Sequence, residues 1–273
     1  MFNKGNTMIN AGFIGYGNMG QALAVGMHTA LPDWSIGVFD IDSSKAAKAS
    51  KDCGATVFDS YASLREFSDI IILAIKPQYL EKVAASTAGA FKGAPVISIL
   101  AGTKISKISQ VFETDQVIRF MPNIAAGIGK AMTSVAFSQQ ASDDFKEKAM
   151  LIAEGCGSAV VLDESLFGAF TGLSGSGIAY VFQIIHALAL GGTKSGIPYD
   201  KSLAIAIATI EGAAGLLSAS GEHPVSALSR VISPAGTTIE GITVLEEMGL
   251  TPAIIGAVDA AAHRAGELEN TTK

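Results

Sequence analysis

The chain has 273 residues, 49% of them hydrophobic and 16% charged, with a net charge of −6. This composition excludes a disordered chain, and the acidic balance argues against a nucleic-acid binder, which would carry a basic patch. Two cysteines, Cys53 and Cys156, offer neither a metal spacing nor a disulfide framework and point to a reduced, cytoplasmic setting.

The first ten residues lack the apolar stretch of a secretory signal. No run reaches the ~18 uninterrupted apolar residues of a membrane span, so no membrane association is expected. At roughly 100–200 residues per domain, the length suits two domains. In the first half, strand-like runs at 9–15, 35–40, 69–75, 95–100, 116–120 and 133–137 alternate with helical stretches at 18–28, 43–52, 77–91 and 104–112. Strands spaced this way build βαβ units and a parallel sheet. The run "DIIILAI" at 69–75 is apolar at both alternating positions, as a strand covered on both faces requires. A charged helix at 143–156 and a strand at 158–163 follow.

Beyond Asp163 no strand is predicted. Apolar helices at 176–192, 199–219, 224–232, 237–248 and 252–269 are separated by "SGIP", "GEHP", "SPAG" and "GLTP", each punctuated by Gly or Pro. The predicted fold is α/β: an N-terminal Rossmann doubly wound sheet over 1–162, then an all-α domain over 163–273. Helices apolar around much of their circumference are buried or packed on a second chain. A homo-oligomer built through this domain is expected.

"GFIGYGNMG" places Gly15-x-Gly17-x-x-Gly20 between a predicted strand and a predicted helix, the context that a dinucleotide-binding turn requires. Gly15 permits the tight turn, Gly17 lets the backbone approach a pyrophosphate, and Gly20 allows the helix to pack closely on the strand. Asp40 ends the second strand twenty residues after Gly20. An acid there accepts hydrogen bonds from the adenosine ribose and repels a 2′-phosphate, which favours NADH over NADPH. Lys45 and Lys48 nearby leave a 2′-phosphate open. A second candidate anion site is "SPAGTTIEG" at 233–241. Thr237 and Glu240 have capping-box spacing, and the amides of Gly236, Thr237 and Thr238 head a helix. Read locally, this is either a plain helix cap or a small anion cradle. "LSGSG" at 173–177 is likewise either close helix packing or part of a site. None of the four histidines has a metal-ligand spacing, and no nucleophile elbow is present, so neither a metal nor a hydrolase is expected.

These motifs, with "AIKPQ" (74–78), "SILAG" (98–102), "RFMPN" (119–123), "GEHP" (221–224) and "VLEEMG" (244–249), stand in the order found in the pyrroline-5-carboxylate reductase family, which the chain resembles nearly end to end. The resemblance implies reduction of 1-pyrroline-5-carboxylate to L-proline, the last step of proline biosynthesis, by hydride transfer from NAD(P)H. It implies a homodimer through the helical domain and, beyond that, a larger ring of dimers. Cofactor contacts fall at Gly15, Gly17, Asn18, Met19, Gly20, Ala74, Lys76 and Pro77, with Met121, Pro122 and Asn123 at the nicotinamide end. Substrate contacts fall at Ser174, Gly175, Ser176, Gly236, Thr237 and Thr238. The Thr238 hydroxyl faces the ring nitrogen as the catalytic group. The chain departs from the family pattern at Ile124, Ala125, Ile178 and Ala235. These departures keep two alternatives open: a related reductase of another cyclic imine, and a nucleotide-binding family member without turnover.

Overall fold

The computed structural model describes residues 9–271. By packing, the chain divides into two compact units. One runs to Gly175 and takes in the residues from Ala261 on; the other is Ser176–Ala260. The sequence boundary at 162/163 marks where strand gives way to helix, since the last strand ends at Val161.

In the first unit, β1 (Asn10–Ile14), α1 (Asn18–Ala30), β2 (Ser35–Phe39), α2 (Ser43–Cys53), β3 (Thr56–Val57) and α3 (Tyr61–Phe67) build outward in one direction. The chain then crosses back. β4 (Ile70–Leu73), α4 (Leu80–Ser86), β5 (Val96–Ser98), α5 (Ile105–Phe112) and β6 (Val117–Pro122) extend the sheet the other way. β7 (Ala131–Phe137), α6 (Asp143–Gly155), β8 (Gly157–Val161) and α7 (Phe167–Phe170) complete it. The strand order is β3-β2-β1-β4-β5-β6-β7-β8. The order reverses between β1 and β4, which opens a crevice at their carboxyl ends.

The sequence reading missed β3 and α3, the former only two residues long. It also made every strand parallel, whereas β7 runs antiparallel to β6. The reason is connection length: one short 3₁₀ turn, Ile124–Ile128, lies between them, and a parallel crossover needs a dozen or more residues. The predicted helix at 77–91 stops at Ser86, because Ala88 and Gly89 take positive φ (47° and 79°) and break it.

The two faces of β4 show why its run is uniformly apolar. Ile70 and Ile72 join Phe13, Leu23 and Met27 on one side of the sheet. Ile71 and Leu73 join Ile14, Leu64 and Phe91 on the other. Burial of each such side chain is worth roughly 1.5–3 kcal/mol.

The second unit is helical: α8 (Gly177–Lys194), α9 (Tyr199–Ser220), α10 (Pro224–Val231), α11 (Thr237–Glu247) and the start of α12 (Leu250–Thr271). α8 and α9 meet closely at Gly192, where a Cβ would lie 2.7 Å from Ser202 Oγ. The Tyr180 hydroxyl donates to the Ala257 carbonyl at 3.1 Å. Many large apolar side chains in this unit are exposed on the single chain, among them Phe182, Leu216 and Met248. The runs Glu164–Lys194 and Tyr199–Ser220 are long and apolar enough, by length and composition, to cross a membrane. The sequence reading counted only uninterrupted apolar residues, and Gln183, His186 and Glu211 interrupt these runs.

Among the described residues of the first unit, one charged side chain is fully buried. Arg119 on β6 ion-pairs with Glu164 (3.0 Å) and with Glu269 of α12 (2.7 Å), and its guanidinium stacks 4.7 Å above the Phe167 ring. Glu164 also accepts the Ile105 amide at 2.8 Å. Removing one side of a buried ion pair costs more than the pair is worth, because the remaining charge stays desolvated. Arg119→Ala is expected to lose about 3–5 kcal/mol of stability in urea unfolding, and Arg119→Met a comparable amount, because it too leaves the Glu164 and Glu269 carboxylates without their partner.

Candidate active site

The glycine turn lies in the crevice between β1 and β4, and each of its three glycines has a different reason. Gly15 has φ +96°, and a Cβ there would sit 2.6 Å from the Ala74 carbonyl oxygen. At Gly20 a Cβ would lie 2.8 Å from the Gly15 carbonyl and 2.9 Å from the Ala74 Cβ. These two are required by the fold, and the Ala74 amide donating to Ile14 O at 2.9 Å fixes the same approach of β4 to β1. At Gly17 a Cβ would meet nothing within 4 Å, so the fold does not require glycine there. Gly17 caps α1 without a side-chain bond, and the first turn carries no acid. The amides of Asn18, Met19 and Gly20 thus head a helix without intrahelical acceptors, at its positive end. Open space, uncapped amides and the absence of a carboxylate fit the pyrophosphate of a dinucleotide.

Asp40 stands beside this turn. One carboxylate oxygen accepts the Tyr16 amide at 2.7 Å and the other the Asp42 amide at 2.8 Å. Each oxygen keeps a lone pair for a further donor. A partly buried network that the sequence does not signal supports the turn from beneath. The Tyr16 hydroxyl donates to Asp52 (3.2 Å), as does Gln21 Nε2 (2.8 Å), and Lys48 Nζ donates to Gln21 Oε1 (3.1 Å). Burial pushes the Tyr16 phenol well up, with Cys53 next in effect, so it remains a protonated donor. No spacing signals this network, because it depends on how α1 and α2 pack.

Further along the strand ends, Pro77 and Met121 line one cavity of about 570 Å³, together with Gln78, Gly102, Thr171 and Glu269. Lys76 is exposed immediately before the 3₁₀ turn that Pro77 starts. Asn18 lines a smaller cavity of about 310 Å³ with Ile124. Asn123 is buried; its Oδ1 accepts the Ala125 amide (3.2 Å) and its Nδ2 donates to Ser174 Oγ (3.1 Å). The structure thereby joins a residue expected at the nicotinamide end to one expected on the substrate approach. Ser174 and Gly175 belong to a π-helical turn, Thr171–Gly175, an irregularity found mostly at functional sites.

In the second unit Ser176 opens α8 and Thr237 opens α11. The predicted capping box at Thr237 and Glu240 does not form: Gly236 is the N-cap and Thr237 is the first helical residue. The cause is a tight turn in which the Gly236 amide donates to Ser233 O at 3.0 Å. A Cβ at Gly236 would lie 2.2 Å from Ser233 Oγ and 3.0 Å from the Ser233 carbonyl oxygen, so a side chain there would force Ser233 to shift. With the Gly236 amide engaged, those of Thr237 and Thr238 head the helix. Ala235 adopts φ +53°, a left-handed conformation that costs an L-residue roughly 1–2 kcal/mol.

Two family models match the chain. One, described as pyrroline-5-carboxylate reductase dimerisation, covers residues 164–268, and the other, described as NADP oxidoreductase coenzyme F420-dependent, covers residues 10–102. The chain is 44% identical over 201 residues to the pyrroline-5-carboxylate reductase of Synechocystis sp., covering 74% of this chain and 75% of that protein. It is 33% identical to that of Aquifex aeolicus over 95% of this chain and 97% of that protein. This chain belongs to the pyrroline-5-carboxylate reductase family. The pyrroline-5-carboxylate reductase structure from Coxiella burnetii superimposes with a TM-score of 0.89 at 27% identity, covering 96% of this chain and 99% of that one.

Its ion pairs single out Arg119, which lies within "RFMPN" and had no role assigned from the sequence. An arginine inside an otherwise apolar strand was the available signal, since a buried charge must be paired. Its partners, 45 and 150 residues away, were not legible. The different reasons for the glycines lead to a contrast. Gly17→Ala is expected to fold with an unchanged Tm and to bind NADH at least about tenfold more weakly by fluorescence titration, because its methyl enters the cradle. Gly20→Ala is expected to lower Tm.

Proposed function

We propose that this chain reduces the carbon–nitrogen double bond of 1-pyrroline-5-carboxylate to give L-proline, with NAD(P)H as reductant. The observation that carries the reading is a dinucleotide cradle at the sheet's switch point in a chain that also presents the family's uncapped threonine helix start. When bound, NAD(P)H supplies the hydride that the imine carbon receives. The Thr237 and Thr238 amides, at the positive end of α11, hold the substrate carboxylate. The Thr238 hydroxyl hydrogen-bonds the ring nitrogen, which stays in the ring and becomes the secondary amine of the product. A protonated imine is already electrophilic, so the chain's own contribution is orientation and fixed dipoles rather than a strong acid.

NADH is the proposed preferred donor. Asp40 is fixed in place by two backbone amides, with lone pairs left for ribose hydroxyls and a charge that opposes a 2′-phosphate. The active species is a homodimer in which a second copy covers the exposed apolar side chains of α8, α9 and α11, including Phe182, Leu216 and Val244. Both cysteines are free and buried, which suits a reducing cytoplasm. A second reading, reduction of a different cyclic imine, rests on Ala235, whose methyl stands beside the Gly236 turn. Equal or faster turnover of a six-membered imine would favour it.

Two substitutions test the main reading. Thr238→Ala should lower kcat/KM by about 10²-fold or more while NADH binding survives; unchanged turnover would remove the role given to the hydroxyl. Asp40→Ser should reduce the NADH-to-NADPH preference by about tenfold in steady-state assays, with both cofactors weakened because the Tyr16 latch is lost.

A further inference from the structure

Two acids, not one, follow β2. Asp42 is the N-cap of α2, and its Oδ1 accepts both the Ser44 amide (3.0 Å) and the Ser44 hydroxyl (2.6 Å). Its other oxygen lies 3.8 Å from Lys45 Nζ. The Ser44 hydroxyl, then the Ser44 amide, hold this carboxyl below the usual carboxylate range, so it is charged at neutral pH. α2 is an 11-residue helix whose positive end comes two residues after Asp40. A phosphate on the adenosine ribose would seek such a helix start. Here the Ser44 amide already serves an internal carboxylate. The neighbouring cations are engaged too: Lys45 lies beside Asp42, and Lys48 donates to Gln21. No arginine occurs between Phe39 and Cys53. Asp40 and Asp42 are also linked, since the Asp42 amide donates to Asp40 Oδ1.

We propose that Asp42, by capping α2 with its own carboxylate, is a second determinant that excludes a 2′-phosphorylated cofactor, acting beside Asp40. This rests on the NADH preference proposed above and adds to it a residue that the end-of-strand rule does not name. Asp42 touches no part of NADH; its carboxylate, fixed by the cap, places a negative charge at the helix start where a phosphate would otherwise be favoured.

The test is fluorescence titration of NADH and NADPH against the full-length wild type, Asp42→Asn, Asp42→Ser and Asp40→Ser. Asn and Ser both remain good N-caps, so α2 persists, and circular dichroism checks that it does. The expected result is NADPH binding about tenfold tighter in both Asp42 variants, with the NADH Kd changed less than about twofold. Raising the salt concentration should narrow the NADH–NADPH gap in the wild type more than in Asp42→Asn, because the excluded charge is screened. If the wild type prefers NADH and Asp40→Ser shifts the ratio while neither Asp42 variant does, the role of Asp42 is overturned and the preference stands. Equal weakening of both cofactors in the Asp42 variants also overturns it, since that marks a purely structural cap. A wild type that binds NADPH as tightly as NADH refutes the preference itself, and this inference with it.

Discussion

The buried guanidinium of Arg119 is the constraint around which the first unit is arranged. It sits on β6, two residues before Met121 and four before Asn123, where the strand reaches the candidate site. A charge with no solvent access must find opposite charge, and the chain brings two carboxylates to it from distant segments. Glu164 comes from the connection after β8 and also receives the Ile105 amide. Glu269 comes from the end of α12. Three separated stretches thus meet at one point, and the turn carrying Ser174 is held where Asn123 can bond it. Buried ion pairs are poor sources of net stability, but they are strict about geometry. That strictness suits a strand end from which Met121 lines a cavity and Asn123 reaches Ser174.

The phosphate turn is fixed by different means. Two of its glycines exist because β1 and β4 approach so closely that no Cβ fits between Gly15, Gly20 and Ala74. The third is free of that restriction, and its open surroundings are what a ligand would fill. Asp40 latches the turn to the end of β2 through the Tyr16 amide, while Tyr16 is anchored below by Asp52. The acid that ends β2 therefore also sets the loop, since its carboxylate holds the Tyr16 amide. Asp42 extends this acidic edge onto α2.

The helical unit has a different economy. Its helices expose much apolar area on one chain, which is costly in water and suits a surface that a second copy covers. Within it, the start of α11 is shaped by a turn that crowds Gly236 against Ser233, preceded by an alanine in a conformation usually left to glycine. That strained alanine is one of the four positions at which the sequence departs from the family pattern it resembles.

Much of this was legible in the sequence. Apolar runs of strand length separated by helical stretches gave the sheet, because backbone pairing and burial of both faces leave a periodic record. The glycine spacing gave the turn, and the order of motifs gave the family. What escaped was whatever depends on residues far apart in the chain meeting in space. The antiparallel β7, the partners of Arg119, the Asn123–Ser174 bond and the Tyr16 network have no local signature. Short β3 and α3 escaped because so few residues carry no periodicity. The capping box failed because Thr237 and Glu240 satisfy its spacing, yet backbone crowding against Ser233 moved the cap to Gly236. The sequence by itself determined most of the strands and helices, though not the short β3 and α3, and that the glycine turn serves a dinucleotide. Only the tertiary structure decided which glycines the fold requires and which a ligand requires, because that distinction lies in the distance from each missing Cβ to atoms of other strands.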